Sequence, residues 1–167
     1  DRYRMDAAFE ENIRAELRDN LLRIRHHACL GLLCGNNEME LGWVGWEDVV
    51  THHPALKADY IKMFEYVISQ EAQINAPDVF YWPSSPSSGG SFDDPNAENR
   101  GDVHYWDVWH RMKPFTDYEK FYFRFCSEFG FESFPGRKTI ETFTEPSDRN
   151  IFSPVMESHQ KNDAANG

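Results

Sequence analysis

Cys29-Leu30-Gly31-Leu32-Leu33-Cys34 is continuously apolar, and Gly35-Asn36-Asn37-Glu38 follows it directly. Such a run suits a parallel strand buried on both faces, where alternate side chains meet two covered surfaces. On its amino side Phe9, Ile13, Leu17, Leu21 and Ile24 recur at steps of three and four between charged residues. That spacing predicts an amphipathic helix from Asp6 to Arg25. On its carboxyl side Leu56, Tyr60, Phe64, Val67 and Ile68 mark the apolar face of a second helix, with Pro54 near its start and Pro77 beyond its end. Helix, strand, helix predicts an α/β fold.

Further along, Val79-Phe80-Tyr81-Trp82 reads as a short strand stopped by Pro83. A long loop rich in Ser, Gly, Pro, Asn and Asp follows from Ser84 to Gly101, and a loop of that length in a compact domain is usually functional or disordered. Val103-His104-Tyr105-Trp106 is a third strand, and Phe123-Arg124-Phe125-Cys126-Ser127 a fourth that runs into Glu128-Phe129-Gly130. Each strand ends in polar or aromatic chemistry, and in parallel α/β sheets and barrels the active site lies at the carboxyl ends of the strands. The stretch from Pro146 to Gly167 is polar and reads as surface.

The 167 residues suffice for one domain with a real core. With 17 Lys and Arg against 28 Asp and Glu, the net charge of −11 disfavours phosphate backbones and anionic lipid surfaces, so neither nucleic acid nor membrane is expected as a partner. No apolar run approaches the roughly 18 residues of a membrane helix. The opening Asp1-Arg2-Tyr3-Arg4 lacks a signal-peptide pattern, which leaves the compartment open.

Three cysteines cannot all pair, and the odd spacing of Cys29 and Cys34 would put them on opposite faces of a strand. His26-His27 and His52-His53 come without the spaced partners of a zinc site, so no metal is expected. Asp94-Pro95-Asn96-Ala97-Glu98 imitates the start of a calcium loop, but Asn99 and Tyr105 stand where that loop needs Gly and Glu.

Glu38 and Glu128, each just beyond a predicted strand, suit the proton donor and nucleophile of glycoside hydrolysis. From the residues alone, a helix N-terminal charge for Glu38 and a surface carboxylate for Glu128 are the commoner readings of such glutamates. Trp82, Trp106 and Trp109 offer flat faces for sugar rings, or pack as core.

Four stretches shift this balance. Arg25-His26-His27-Ala28-Cys29-Leu30-Gly31-Leu32-Leu33-Cys34-Gly35-Asn36-Asn37-Glu38 resembles the acid/base strand of glycoside hydrolase family 2 beta-mannosidases. In order follow Tyr81-Trp82-Pro83-Ser84-Ser85-Pro86, Gly101-Asp102-Val103-His104-Tyr105-Trp106-Asp107-Val108-Trp109 and Ser127-Glu128-Phe129-Gly130-Phe131. Ala28 departs from the family, which usually has Pro after the histidine. The resemblance covers nearly the whole chain.

It implies a partial (β/α)8 TIM barrel of about four parallel strands, barrel strands four to seven. Residues 1–167 would then be one segment of the catalytic barrel domain, without strands one to three and eight and without the flanking β-sandwich domains. It implies a retaining exo-beta-mannosidase mechanism by double displacement, with Glu38 as general acid/base, Glu128 as nucleophile and no cofactor. Asn37 would contact the substrate 2-hydroxyl, and Trp82, His104, Trp106 and Trp109 would lie near the glycone pocket. Glu38 must stay protonated near neutral pH, which calls for an apolar or carboxylate-rich setting. The expected partner is a beta-mannoside. The isolated segment is expected to be inactive and, with strand edges and an apolar face open, to self-associate. Another family 2 glycosidase specificity (beta-galactoside, glucosaminide or mannosyl-glycoprotein) and a non-catalytic sugar-binding remnant are the alternatives.

Overall fold

The computed structural model describes residues 3–46 and 54–162. His52-His53 and residues 163–167 lie outside that range. The chain divides into two compact units, Asp1–His104 with Phe123–Ser127, and Tyr105–Tyr122 with Glu128–Gly167.

In the first unit, helix α1 (Ala7–Ile24) matches the predicted span. The Asp6 side chain accepts from Phe9 N at 2.9 Å and satisfies one of the amides that a helix start leaves open. Strand β1 (Leu32–Cys34) leads into a short helix, α2 (Met39–Gly45). Continuous helical backbone then spans 54–75: α3 (Pro54–Tyr60), a π-helical stretch (Ile61–Val67) and α4 (Ile68–Asn75). Within this stretch the Phe64 carbonyl accepts the Tyr81 hydroxyl at 2.6 Å. Tyr60, Met63, Phe64, Val67 and Ile68 form the core with Met5 and Trp43, and Phe9, Ile13 and Leu17 of α1 pack onto it. Arg14 ties α1 to α4 through Glu71 at 2.9 Å.

Strand β2 (Phe80–Trp82) pairs with β1 in parallel, Leu32 opposite Phe80 and Cys34 opposite Trp82. Strand, helix and parallel strand make a βαβ unit. The expectation that β1 is buried on both faces is corrected. Leu33 and Tyr81 share the face toward the core, whereas Leu32 is 50% and Phe80 58% exposed. A two-stranded sheet has a helix layer on one side only, and the same apolar run that marks a buried strand leaves its second face bare here.

The loop 83–101 is ordered and anchored by polar groups. Glu40 of α2 is fully buried and accepts from Ser87 Oγ at 2.7 Å and from Phe92 N at 2.9 Å. Ser87 Oγ in turn accepts from Gly89 N and Gly90 N at 3.1 and 3.0 Å. The Phe92 ring packs edge-on against Trp43, with Lys57 Nζ 4.2 Å from its centroid.

Burial pushes the Glu40 carboxyl above its ordinary 4.5, against the lowering effect of Ser87 and Phe92. The folded state therefore holds this proton more tightly than the unfolded chain does. The associated stabilisation is full below 4.5 and fades as pH rises through the raised value. Glu40→Gln sets an amide N–H against a donor and is expected to cost about 1–3 kcal/mol. In urea unfolding that deficit should be largest at about pH 4 and narrow toward neutrality, since only the wild type loses stability with pH. A deficit that widens with pH would contradict this account.

Strand β3 (Val103–Tyr105) and strand β4 (Cys126–Phe129) pair in a second two-stranded sheet, and the division between the units falls after His104 and after Ser127. The predicted fourth strand is thus shifted toward its carboxyl end. Residues 123–125 instead make separate bonds, Val103 N to Phe125 O at 2.9 Å and Arg124 N to Glu98 O at 3.5 Å. Glu128 consequently sits on the strand instead of beyond it.

The second unit carries helix α5 (Asp107–His110), a 3₁₀ turn (Phe115–Lys120), α6 (Arg137–Phe143), a 3₁₀ turn (Pro146–Asp148) and α7 (Pro154–His159). The Tyr105 ring packs against Tyr118 and Phe121, and its hydroxyl donates to Asp117, which also pairs with Lys120. Lys120 and then Tyr105 hold the Asp117 carboxyl below the usual range. No helix among the described residues is long and apolar enough to cross a membrane.

Candidate active site

In the first unit the turn after β1 carries Glu38. Glu38 adopts a left-handed backbone, φ 60° and ψ 3°, at the start of α2, a conformation non-glycine residues seldom take outside functional or tightly held positions. Asn36 makes that turn possible. Its Oδ1 caps Met39 N at 3.1 Å and accepts Ser84 Oγ at 2.8 Å, while its Nδ2 donates to Pro83 O at 3.0 Å and Tyr60 Oη at 3.2 Å. With Asn36 doing the capping, the Glu38 carboxylate makes no bond to its own helix start. It turns instead to His104, Oε1 lying 2.8 Å from Nδ1.

His104 is a buried side chain, 1% exposed. Its backbone is clamped by Asn96, which accepts from His104 N at 2.9 Å and donates to His104 O at 3.1 Å. Its Nε2 lies 2.9 Å from Ser85 Oγ. Ser85 also joins the two strand ends through backbone, receiving Glu38 N at 2.7 Å and donating to Asn36 O at 2.9 Å.

Asp102 is the hub of this unit. Its Oδ2 accepts Ser85 Oγ at 2.5 Å and Ser127 Oγ at 2.6 Å, and its Oδ1 accepts Ser87 N at 3.0 Å and Trp82 Nε1 at 3.2 Å. Burial works to raise its carboxyl, but the donors from Ser127, Ser85, Ser87 and Trp82 outweigh it and hold Asp102 below its ordinary range. The Trp82 indole is fixed by Asp102 and stacks on Phe80 at 5.7 Å between centroids. The Asn37 side chain is exposed.

In the second unit the Trp106 Nε1–H donates to Glu128 Oε2 at 3.1 Å, so the indole orients that carboxylate. Trp109 packs edge-on against Phe131 at 4.8 Å, and its carbonyl accepts from Asn162. Trp109 is thus built into the packing of this unit.

Of the predicted site residues, the first unit brings Glu38 and His104 into direct contact and holds Trp82 through Asp102. The second unit brings Trp106 onto Glu128. Asn36, Asn96, Asp102 and Ser127 carry no role in the sequence reading, and Ser85 stands there only within the Tyr81–Pro86 stretch. Asp102 lay inside the Gly101–Trp109 stretch that carried the resemblance, which is the signal that pointed nearest to it.

No protein-family model matches the chain. Beta-mannosidase B of Emericella nidulans is 33% identical over 165 residues, 92% of this chain, and that of Aspergillus clavatus 34% over 164 residues. The crystal structure of a beta-D-mannosidase from Dictyoglomus thermophilum superposes on 95% of the chain with a TM-score of 0.81 at 31% identity. The chain spans 19% of the length of each of these relatives. In sequence and in three dimensions alike, the chain is similar to one segment of these beta-mannosidases.

Proposed function

We propose that the chain supplies both catalytic carboxylates of a retaining exo-beta-mannosidase, as one segment of a longer enzyme. Glu38 protonates the departing oxygen, Glu128 attacks the anomeric carbon, and Glu38 then takes a proton from the water that releases the sugar. The observation that carries this reading is the placement of Glu38. It stands on a left-handed turn past a parallel strand, relieved of capping by Asn36 and held on a buried histidine, in a chain a third identical to beta-mannosidases. Asn37 contacts the 2-hydroxyl, and Trp82, His104, Trp106 and Trp109 line or back the glycone pocket.

The same reading accounts for the bare face of the first sheet. In a (β/α)8 barrel one face of each strand meets the helices and the other fills the interior. Leu33 and Tyr81 meet the helix layer, and Leu32 and Phe80 are then interior residues. Taken alone, the 167-residue segment would turn over little and self-associate through these faces.

The test is hydrolysis by the longer protein that carries this segment, with aryl beta-mannoside and aryl beta-galactoside compared at equal concentration. A higher kcat/KM on the mannoside is expected. Preference for the galactoside moves the glycone specificity elsewhere, and binding of either sugar without hydrolysis overturns the catalytic reading.

A further inference from the structure

We infer that Asp102, acting through the Ser85 hydroxyl, fixes the His104 ring with its proton on Nε2, so that the bond between Nδ1 and Glu38 must be bridged by one further proton. The role this gives Asp102 and Ser85 in the reaction rests on Glu38 being the acid/base; the protonation pattern itself does not.

The inference follows from counting donors. Asp102 Oδ2 receives two hydroxyl oxygens, Ser85 Oγ at 2.5 Å and Ser127 Oγ at 2.6 Å. Oxygens that close are attractive only with a proton between them, and a carboxylate has none to give, so both serines donate to Asp102. Two N–H donors on Oδ1, from Ser87 and Trp82, complete an environment made for the ionised form. Its lowered carboxyl agrees with this. Ser85 has then spent its one proton. Its contact of 2.9 Å with His104 Nε2 requires the histidine to be the donor.

With Nε2 protonated, a neutral His104 presents Nδ1 as an acceptor. At 2.8 Å from Glu38 Oε1, that nitrogen faces a second acceptor unless a proton lies between them. The proton sits on Glu38 in the neutral description and on Nδ1 in the ionic one. Either way the Glu38–His104 pair holds one proton more than the reverse tautomer would. The reverse tautomer would donate Nδ1–H to an ionised Glu38 and leave nothing to pass on. Asp102 and Ser85 are thus positioning residues for the acid, and the Asn96 clamp on the His104 backbone keeps the ring in register.

The experiment is nitrogen NMR on the full 167-residue chain with histidines labelled on both ring nitrogens, His104→Gln identifying the signals that belong to His104. Wild type is expected to show His104 Nε2 at the shift of a protonated nitrogen. In Ser85→Ala and in Asp102→Asn, Nε2 should move to the unprotonated range and Nδ1 to the protonated one. In the first variant Nε2 loses its acceptor; in the second the amide of residue 102 donates to Ser85, whose proton turns to His104. Ser85→Thr, which keeps the hydroxyl, should restore the wild-type pattern. An unprotonated Nε2 in folded wild type overturns the inference, and that spectrum decides even if the variants do not fold. Folded Asp102→Asn with Nε2 still protonated also overturns it. Failure of mannoside hydrolysis would remove the acid/base reading and leave the tautomer standing, so the two failures are told apart.

Discussion

If the chain acts as proposed, Glu128→Gln in the longer protein that carries it is expected to lower kcat on aryl beta-mannosides by on the order of 10⁴-fold or more, because the proposed nucleophile is gone. Glu38→Gln should cost about 10²–10⁴-fold on leaving groups that need a proton. It should cost far less on dinitrophenyl mannoside, whose anion departs unaided. Added azide separates the roles by stereochemistry. In Glu38→Gln the intermediate still forms, and azide displaces it with a second inversion, giving beta-mannosyl azide. In Glu128→Ala, which clears the space the carboxylate filled, azide takes the place of the missing nucleophile in a single inversion and gives alpha-mannosyl azide. Exchange of these products between the two variants would exchange the assignments, and an unchanged rate in either would sink the double displacement.

Local patterns were legible wherever the cause was local. The apolar spacing of Phe9 through Ile24 placed α1 to within a residue at each end, because Asp6 and Arg25 are its actual caps. Pro54 and Pro77 bracket the helical backbone of 54–75, though the apolar spacing does not mark its π-helical middle. The misreading of β1 has an equally physical origin. Continuous apolarity marks a strand that favours cover on both faces, and it is silent on whether that cover comes from these 167 residues. Polar networks were the least legible. Trp82, Ser85, Ser87 and Ser127 lie 15 to 25 positions from Asp102, so no short window shows that their protons converge on one carboxylate. Glu40, 52 positions from Phe92, anchors a loop that composition marks only as irregular.

The network around Asp102 depends on a position that carries no functional group at all. Gly101 has φ +64°, and a Cβ built there would lie 1.8 Å from the Ser87 carbonyl oxygen and 2.9 Å from its carbon. Both are backbone atoms with nowhere to swing. Ser87 is fully buried, its amide donates to Asp102 and its carbonyl accepts Asp102 N at 3.4 Å, so a retreat of the carbonyl disturbs the backbone pairing that holds Asp102. Gly101→Ala is therefore expected to destabilise the fold by about 3 kcal/mol or more. The left-handed backbone alone costs about 1–2 kcal/mol, and the clash adds to it. Gly31→Ala is the matched control, since a Cβ at Gly31 meets nothing within 4 Å. It should be neutral or stabilise by about 0.4–1 kcal/mol through the unfolded chain. Urea unfolding followed by tryptophan fluorescence measures both, with Trp82, bonded to Asp102, one of the five tryptophans that contribute to the signal. Equal midpoints for the two variants would show that the Ser87 carbonyl yields cheaply, and that the hub is softer than its geometry requires.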